Sequence, residues 1–175
     1  MPARPSPAGA AVAILALLVV AGCGGGGGSA TAAALPPELL DVLTSQVDCA
    51  GAPLVQVRQH RYDFTGDGVE DALVAVRCDS GAGAPPSAVF AVAARPGGPE
   101  VVDELLGPDE GEIVKDLRAV GPSAVVTSFG FGPAAPRCCP DLELSHTYRW
   151  DGTAFGDAAT TSTPLPEAPQ ESEAE

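Results

Sequence analysis

The residues best placed to do chemistry here are hard oxygen donors. Asp63, Thr65, Asp67 and Asp71 stand at positions one, three, five and nine of the segment Asp63-Phe64-Thr65-Gly66-Asp67-Gly68-Val69-Glu70-Asp71, with Gly68 at six and the Val69 carbonyl at seven. Calcium takes six to eight such oxygens on a tight loop whose glycine permits a sharp turn. The loop is therefore an expected calcium site with the weak affinity of extracellular modules, roughly 0.1 to 1 mM. It is not an EF-hand, because position twelve is Val74 where a bidentate glutamate is needed. The same residues also suit a polar hairpin turn, in which glycines supply positive φ and aspartates cap backbone amides. Under either reading the loop is structural rather than catalytic.

Sulfur and imidazole are the other reactive groups. Cys138 and Cys139 are neighbours within Arg137-Cys138-Cys139-Pro140, and Cys49 and Cys78 lie far upstream. An even four in an exported chain predicts two disulfides. Bonding adjacent cysteines to each other closes a strained eight-membered ring, so Cys138 and Cys139 are each expected to reach Cys49 or Cys78. The other reading of the pair is a vicinal-thiol redox or soft-metal module. A hydrolase would need His60 or His146 beside a serine such as Ser128 and a carboxylate, and no nucleophile elbow frames any serine. His146 is expected as a hydrogen-bonded core histidine and His60 as a surface residue. Asp103 and Glu104, and Asp109, Glu110 and Glu112, are expected on a solvated acidic face. No phosphate-binding loop is present, since Gly24 to Gly28 precede neither a helix nor a lysine.

The address is written at the N-terminus. Arg4 is followed by an unbroken run of Ala, Val, Ile and Leu from Ala11 to Val20, and then by Ala21-Gly22-Cys23 and five glycines. The form is that of a signal peptide, with an apolar run shorter than the roughly 20 residues that span a bilayer. Val20-Ala21-Gly22-Cys23 resembles the lipobox of bacterial lipoproteins. That resemblance implies cleavage before Cys23, a diacylglycerol on its sulfur, and anchorage on the extracytoplasmic face of the cell membrane. Asp63 to Asp71 in turn resembles the calcium loops of FG-GAP and VCBS repeats, which join two strands. It differs from them in having Thr65 at position three and in occurring once. The expected organisation is a signal peptide over 1–22, a Gly/Ala-rich tether over 23–34, a folded domain over 35–156 and a disordered acidic tail over 157–175, which holds five acids, three prolines and no aromatic residue.

Charge narrows the partners. Losing Arg4 with the leader leaves eight Lys and Arg against 23 Asp and Glu, a formal charge of −15. Nucleic acid and anionic headgroups are poor partners for that surface. The abundance of Ala, Gly and Pro is similar to that of high-GC, actinobacterial-type proteins.

The elements that must position these groups follow from periodicity. Pro36-Pro37-Glu38 opens a helix with Leu39, Leu40, Leu43 and Val47 on one face, ending near Gln46. Strands are expected from Leu54, over Ala72–Val76, Ala88–Ala94 and Ala124–Phe129, while 100–106 and 113–120 fit strand or short helix. Leu142, Leu144, His146, Tyr148 and Trp150 alternate with polar residues, giving a strand with one wet face. Asp151-Gly152 predicts a type I′ turn, with Thr153–Phe155 returning along that strand. The class expected is α+β, mainly β: a small antiparallel domain with one N-terminal helix, stapled by disulfides. The function expected is a membrane-anchored, non-enzymatic binding or structural module that meets an envelope or protein partner. The alternatives are a small cell-envelope hydrolase using His60 or His146, or the vicinal-cysteine redox module.

Overall fold

The structure, a computed structural model, describes residues 35–166 apart from 82, 84 and 137. The expected signal peptide with its lipobox-like end, the expected tether, and the tail beyond 166 lie outside the described residues. Helix α1 covers Pro37–Gln46, and eight strands follow: β1 Leu54–Tyr62, β2 Asp71–Cys78, β3 Ser87–Arg95, β4 Gly98–Leu106, β5 Ile113–Val120, β6 Ser123–Gly130, β7 Leu142–Arg149 and β8 Ala159–Pro164. Strands β1 to β4 form one antiparallel meander and β5 to β8 a second. The domain is mainly β, with one helix.

The first sheet is buried on both faces, which explains the unbroken apolar runs of its central strands. Leu73 and Ala75 of β2, with Val89, Ala91 and Ala93 of β3, face a core shared with Val114, Leu117, Ala124, Val126 and Tyr148 of the second sheet. Val74 and Val76, with Ala88, Phe90 and Val92, point the other way against Leu39, Leu43 and Val47. Alternation along a strand sends successive residues to opposite faces. A strand with two dry faces must then be apolar at every position.

The helix depends on that packing. Ten residues with no side-chain N-cap make a marginal helix by themselves. Burying Leu39 and Leu43 completely adds roughly 2 kcal/mol each. Its exit is then pinned. Asp48 Oδ1 accepts the Ala50 N–H at 2.9 Å, Ala50 takes a left-handed φ of 49°, and Cys49 bonds Cys78 at the end of β2 across a Cα–Cα distance of 5.3 Å.

The bond between Cys49 and Cys78 corrects the expected pairing. Each was assigned to Cys138 or Cys139, yet they meet each other because the helix lies over the sheet that ends at Cys78, and Cys138 and Cys139 are free, exposed thiols. Both uncertain segments are strands, β4 and β5. The sheets meet along β1 and β5, where each strand carries a bulge. Arg58, just past the first bulge, donates from Nε to the carbonyl of Lys115, the extra residue of the second, at 3.0 Å.

Two expectations at the C-terminal end are also corrected. Asp151-Gly152 is not a type I′ turn, because only Gly152 has positive φ. Asp151 instead closes a wider loop, its Oδ1 accepting the N–H groups of Thr153 and Ala154, and Thr153–Phe155 contributes only the bridge of Phe155 to Trp150. The true return strand is β8, inside the segment expected to be a disordered tail. Its Thr160, Thr161 and Thr163 are β-branched and suit an exposed edge strand without any large apolar residue.

Replacing both Cys49 and Cys78 by alanine removes a cross-link 29 residues apart in sequence, and should cost about 3 kcal/mol. In a thermal melt the midpoint should fall by roughly 10 °C. A fall of a degree or less would show that the staple does not hold the helix.

Candidate functional site

The oxygen-rich loop joins β1 to β2, and its aspartates Asp63, Asp67 and Asp71 each accept from backbone amides. Asp63 Oδ1 accepts from Gly66 N at 2.6 Å and Asp67 N at 3.2 Å, and Oδ2 accepts from Gly68 N at 2.9 Å. The Thr65 hydroxyl reaches Asp63 Oδ1 at 3.4 Å. These donors, Gly68 foremost, hold the Asp63 carboxyl below the usual aspartate range. Gly66 and Gly68 sit at φ 78° and 86°, which lets the amides converge on one side chain. Asp67 Oδ1 accepts the Val69 N–H at 2.8 Å.

Asp71 is turned inward. It is 1% exposed, and it accepts Phe64 N at 3.1 Å and Thr65 N at 3.0 Å on Oδ2, and Ala94 N of β3 at 2.9 Å on Oδ1. One carboxylate thereby ties the start of β2 to the preceding turn and to the neighbouring strand. Burial, with the negative charge of Asp71 behind it, pushes the Tyr62 phenol up. Of the five oxygen ligands expected for calcium, Asp63, Thr65, Asp67, Val69 and Asp71, the last faces the protein interior. Among the described residues no three acidic, histidine or cysteine side chains converge on one point. The loop as it stands has the geometry of an aspartate-capped turn.

A second polar cluster lies in the other sheet, and sequence reasoning missed its centre. Glu112 was expected on a solvated face, but it is 7% exposed. Its Oε2 accepts from the Ser128 hydroxyl and lies 2.8 Å from His146 Nε2, while His146 Nδ1 lies 3.0 Å from Thr160 Oγ1. Ser87 of β3 joins it, its N–H donating to the Glu112 carbonyl at 2.8 Å and its Oγ accepting the Val114 N–H at 3.2 Å. The partners are 16 and 34 residues from Glu112, so no local pattern signals the cluster. Burial, and then the Glu112 charge, push the phenol of Tyr148 up, and its ring stacks on His146 at 6.3 Å.

The cluster brings together a serine, a carboxylate and a histidine, but in an order unlike that of a hydrolase. Catalysis by a serine needs its hydroxyl hydrogen-bonded to the histidine that takes its proton, with the carboxylate behind. Here Ser128 and His146 share the glutamate oxygen, and Ser128 is 0% exposed, so no substrate carbonyl reaches Oγ. The other histidine, His60, is half-buried in β1 opposite Leu73, its ring 5.8 Å from that of Tyr62. Cys138 and Cys139 sit together on the loop between β6 and β7. Asp103, half-buried, accepts the Phe155 N–H at 3.0 Å. Cys23, the expected lipid-bearing residue, lies outside the described residues. Among those described, no helix is long and apolar enough to cross a membrane.

Two measurements test the loop. Asp71→Asn puts an amide NH2 where backbone donors converge, and should lower unfolding free energy by about 2 kcal/mol in urea; a change below roughly 0.5 kcal/mol, the usual size of a surface substitution, would mean that the inward bonds matter little. Adding several millimolar calcium should leave the melting midpoint of a purely capped turn in place, and a rise of several degrees that Asp63→Asn abolishes would establish the cation reading. Comparison of the chain with protein-family models, with curated proteins and with solved structures gives no match.

Proposed function

We propose that the chain is a lipid-anchored, extracytoplasmic lipoprotein whose folded domain is a non-enzymatic binding or structural module. The observation that carries this reading is the lipobox-like Val20-Ala21-Gly22-Cys23 directly after an apolar leader. It stands beside a domain that keeps a disulfide between Cys49 and Cys78, and disulfides persist on the oxidising side of the membrane. The run Gly24 to Ala34, all Gly, Ser and Ala with one Thr, has the composition of a spacer between anchor and domain.

What the domain offers a partner is surface. Glu112, Ser128 and His146 are engaged in the interior, and Asp63 and Asp151 are spent on turns. The acidic exterior favours a cationic or neutral partner at the envelope over nucleic acid.

Expression of the full chain and of Cys23→Ala in a bacterium with a lipoprotein-processing pathway tests the anchor. The native chain should enter the detergent phase on phase partitioning, and the variant the aqueous phase. Equal partitioning of the two would contradict the proposal.

A further inference from the structure

Cys138 and Cys139 are the cysteines that the fold leaves unused among the described residues. Cys49 and Cys78 are closed on each other, so neither is available to the pair. Closure on each other is disfavoured by covalent geometry: consecutive Cα atoms are about 3.8 Å apart across a trans peptide, whereas a relaxed disulfide spans roughly 4.4–6.8 Å. Both thiols are exposed at the surface.

The loop that presents them is held at its base. Gly132 N donates to Asp141 Oδ1 at 2.6 Å, Asp141 N to the Gly130 carbonyl at 3.2 Å, and Leu165 N to the Asp141 carbonyl at 2.8 Å. Within the loop, Cys139 N donates to the Pro136 carbonyl at 2.9 Å and Ala135 N to the Gly132 carbonyl at 3.0 Å. The two side chains interact with each other directly, so one cation placed between them meets both sulfurs.

We propose that Cys138 and Cys139 form a two-thiolate site for a soft monovalent cation of the copper(I) class. Soft sulfur ligands select copper(I) over hard cations. Zinc in a structural site wants four ligands, and no third acidic, histidine or cysteine side chain converges with this pair among the described residues. Two adjacent sulfurs are enough for a cation that accepts low coordination. On binding, each sulfur gives its proton to solvent and a lone pair to the metal, so one cation releases two protons and no electron is transferred.

The test is an anaerobic titration of the full chain with copper(I) against a chromophoric chelator. Variants Cys138→Ser/Cys139→Ser and Cys49→Ala/Cys78→Ala are titrated beside it. Cys23 is present in all three proteins, so any metal it holds is common to them. The native chain should withdraw one more equivalent than Cys138→Ser/Cys139→Ser, and Cys49→Ala/Cys78→Ala should keep that equivalent whenever circular dichroism shows it folded. Equal uptake by the native chain and Cys138→Ser/Cys139→Ser would overturn the site.

Discussion

Strands β2 and β3 must be apolar on both sides because one face of the first sheet packs on the helix and the other on the second sheet, and this double burial governs much of what surrounds them. A carboxylate admitted to that sheet has to be satisfied internally, since a buried unpaired charge is strongly disfavoured. Asp71 meets the condition with three backbone donors from the turn before it and from β3. The helix that seals the outer face is too short to stand alone, so its apolar stripe and the bond from Cys49 to Cys78 act together. Where the disulfide falls is therefore a consequence of which layer needs holding down.

The second sheet solves a related problem with polar chemistry. Glu112 lies just before β5, Ser128 in β6, His146 in β7 and Thr160 in β8. The Glu112 carboxylate thus links the start of β5 to β6 and β7, His146 extends the link to β8, and Ser87 carries the connection into β3 of the other sheet. Fully paired networks of this kind fix strand register and the relation of two layers. The exposed edge strand β8, with no large apolar residue to anchor it, is held by its ladder to β7 and by Thr160 on His146. Residue types that suggest catalysis here fix the position of strands.

Periodicity made the helix and most strands legible. Leu39, Leu43 and Val47 mark a helical stripe, Leu142 to Trp150 alternate, and Ala72 to Val76 and Ala88 to Ala94 give continuous apolar runs. The continuous runs disclosed burial but not that it is two-sided, because a strand shows its neighbours only once the layers are assembled. Residues 100–106 mix acids with apolar residues in no clean period, since β4 is an edge strand with only Leu105 and Leu106 fully buried. Strand β8 was hidden by its lack of large apolar residues. The cysteine pairing and the Glu112 cluster were hidden for a different reason: each depends on residues distant in sequence that only packing brings together. Counting four cysteines suggested that all four are bonded, whereas the fold closes one bond and leaves an adjacent pair open.

The central claim is that the layered packing selects the bond from Cys49 to Cys78 and leaves Cys138 and Cys139 as thiols. Peptide mass mapping of unreduced protein, after its free thiols have been alkylated, addresses it most directly. The account predicts a cross-linked pair of peptides carrying Cys49 and Cys78, and a separate peptide in which Cys138 and Cys139 are both alkylated. A cross-link from Cys49 or Cys78 to either of the adjacent cysteines would contradict it.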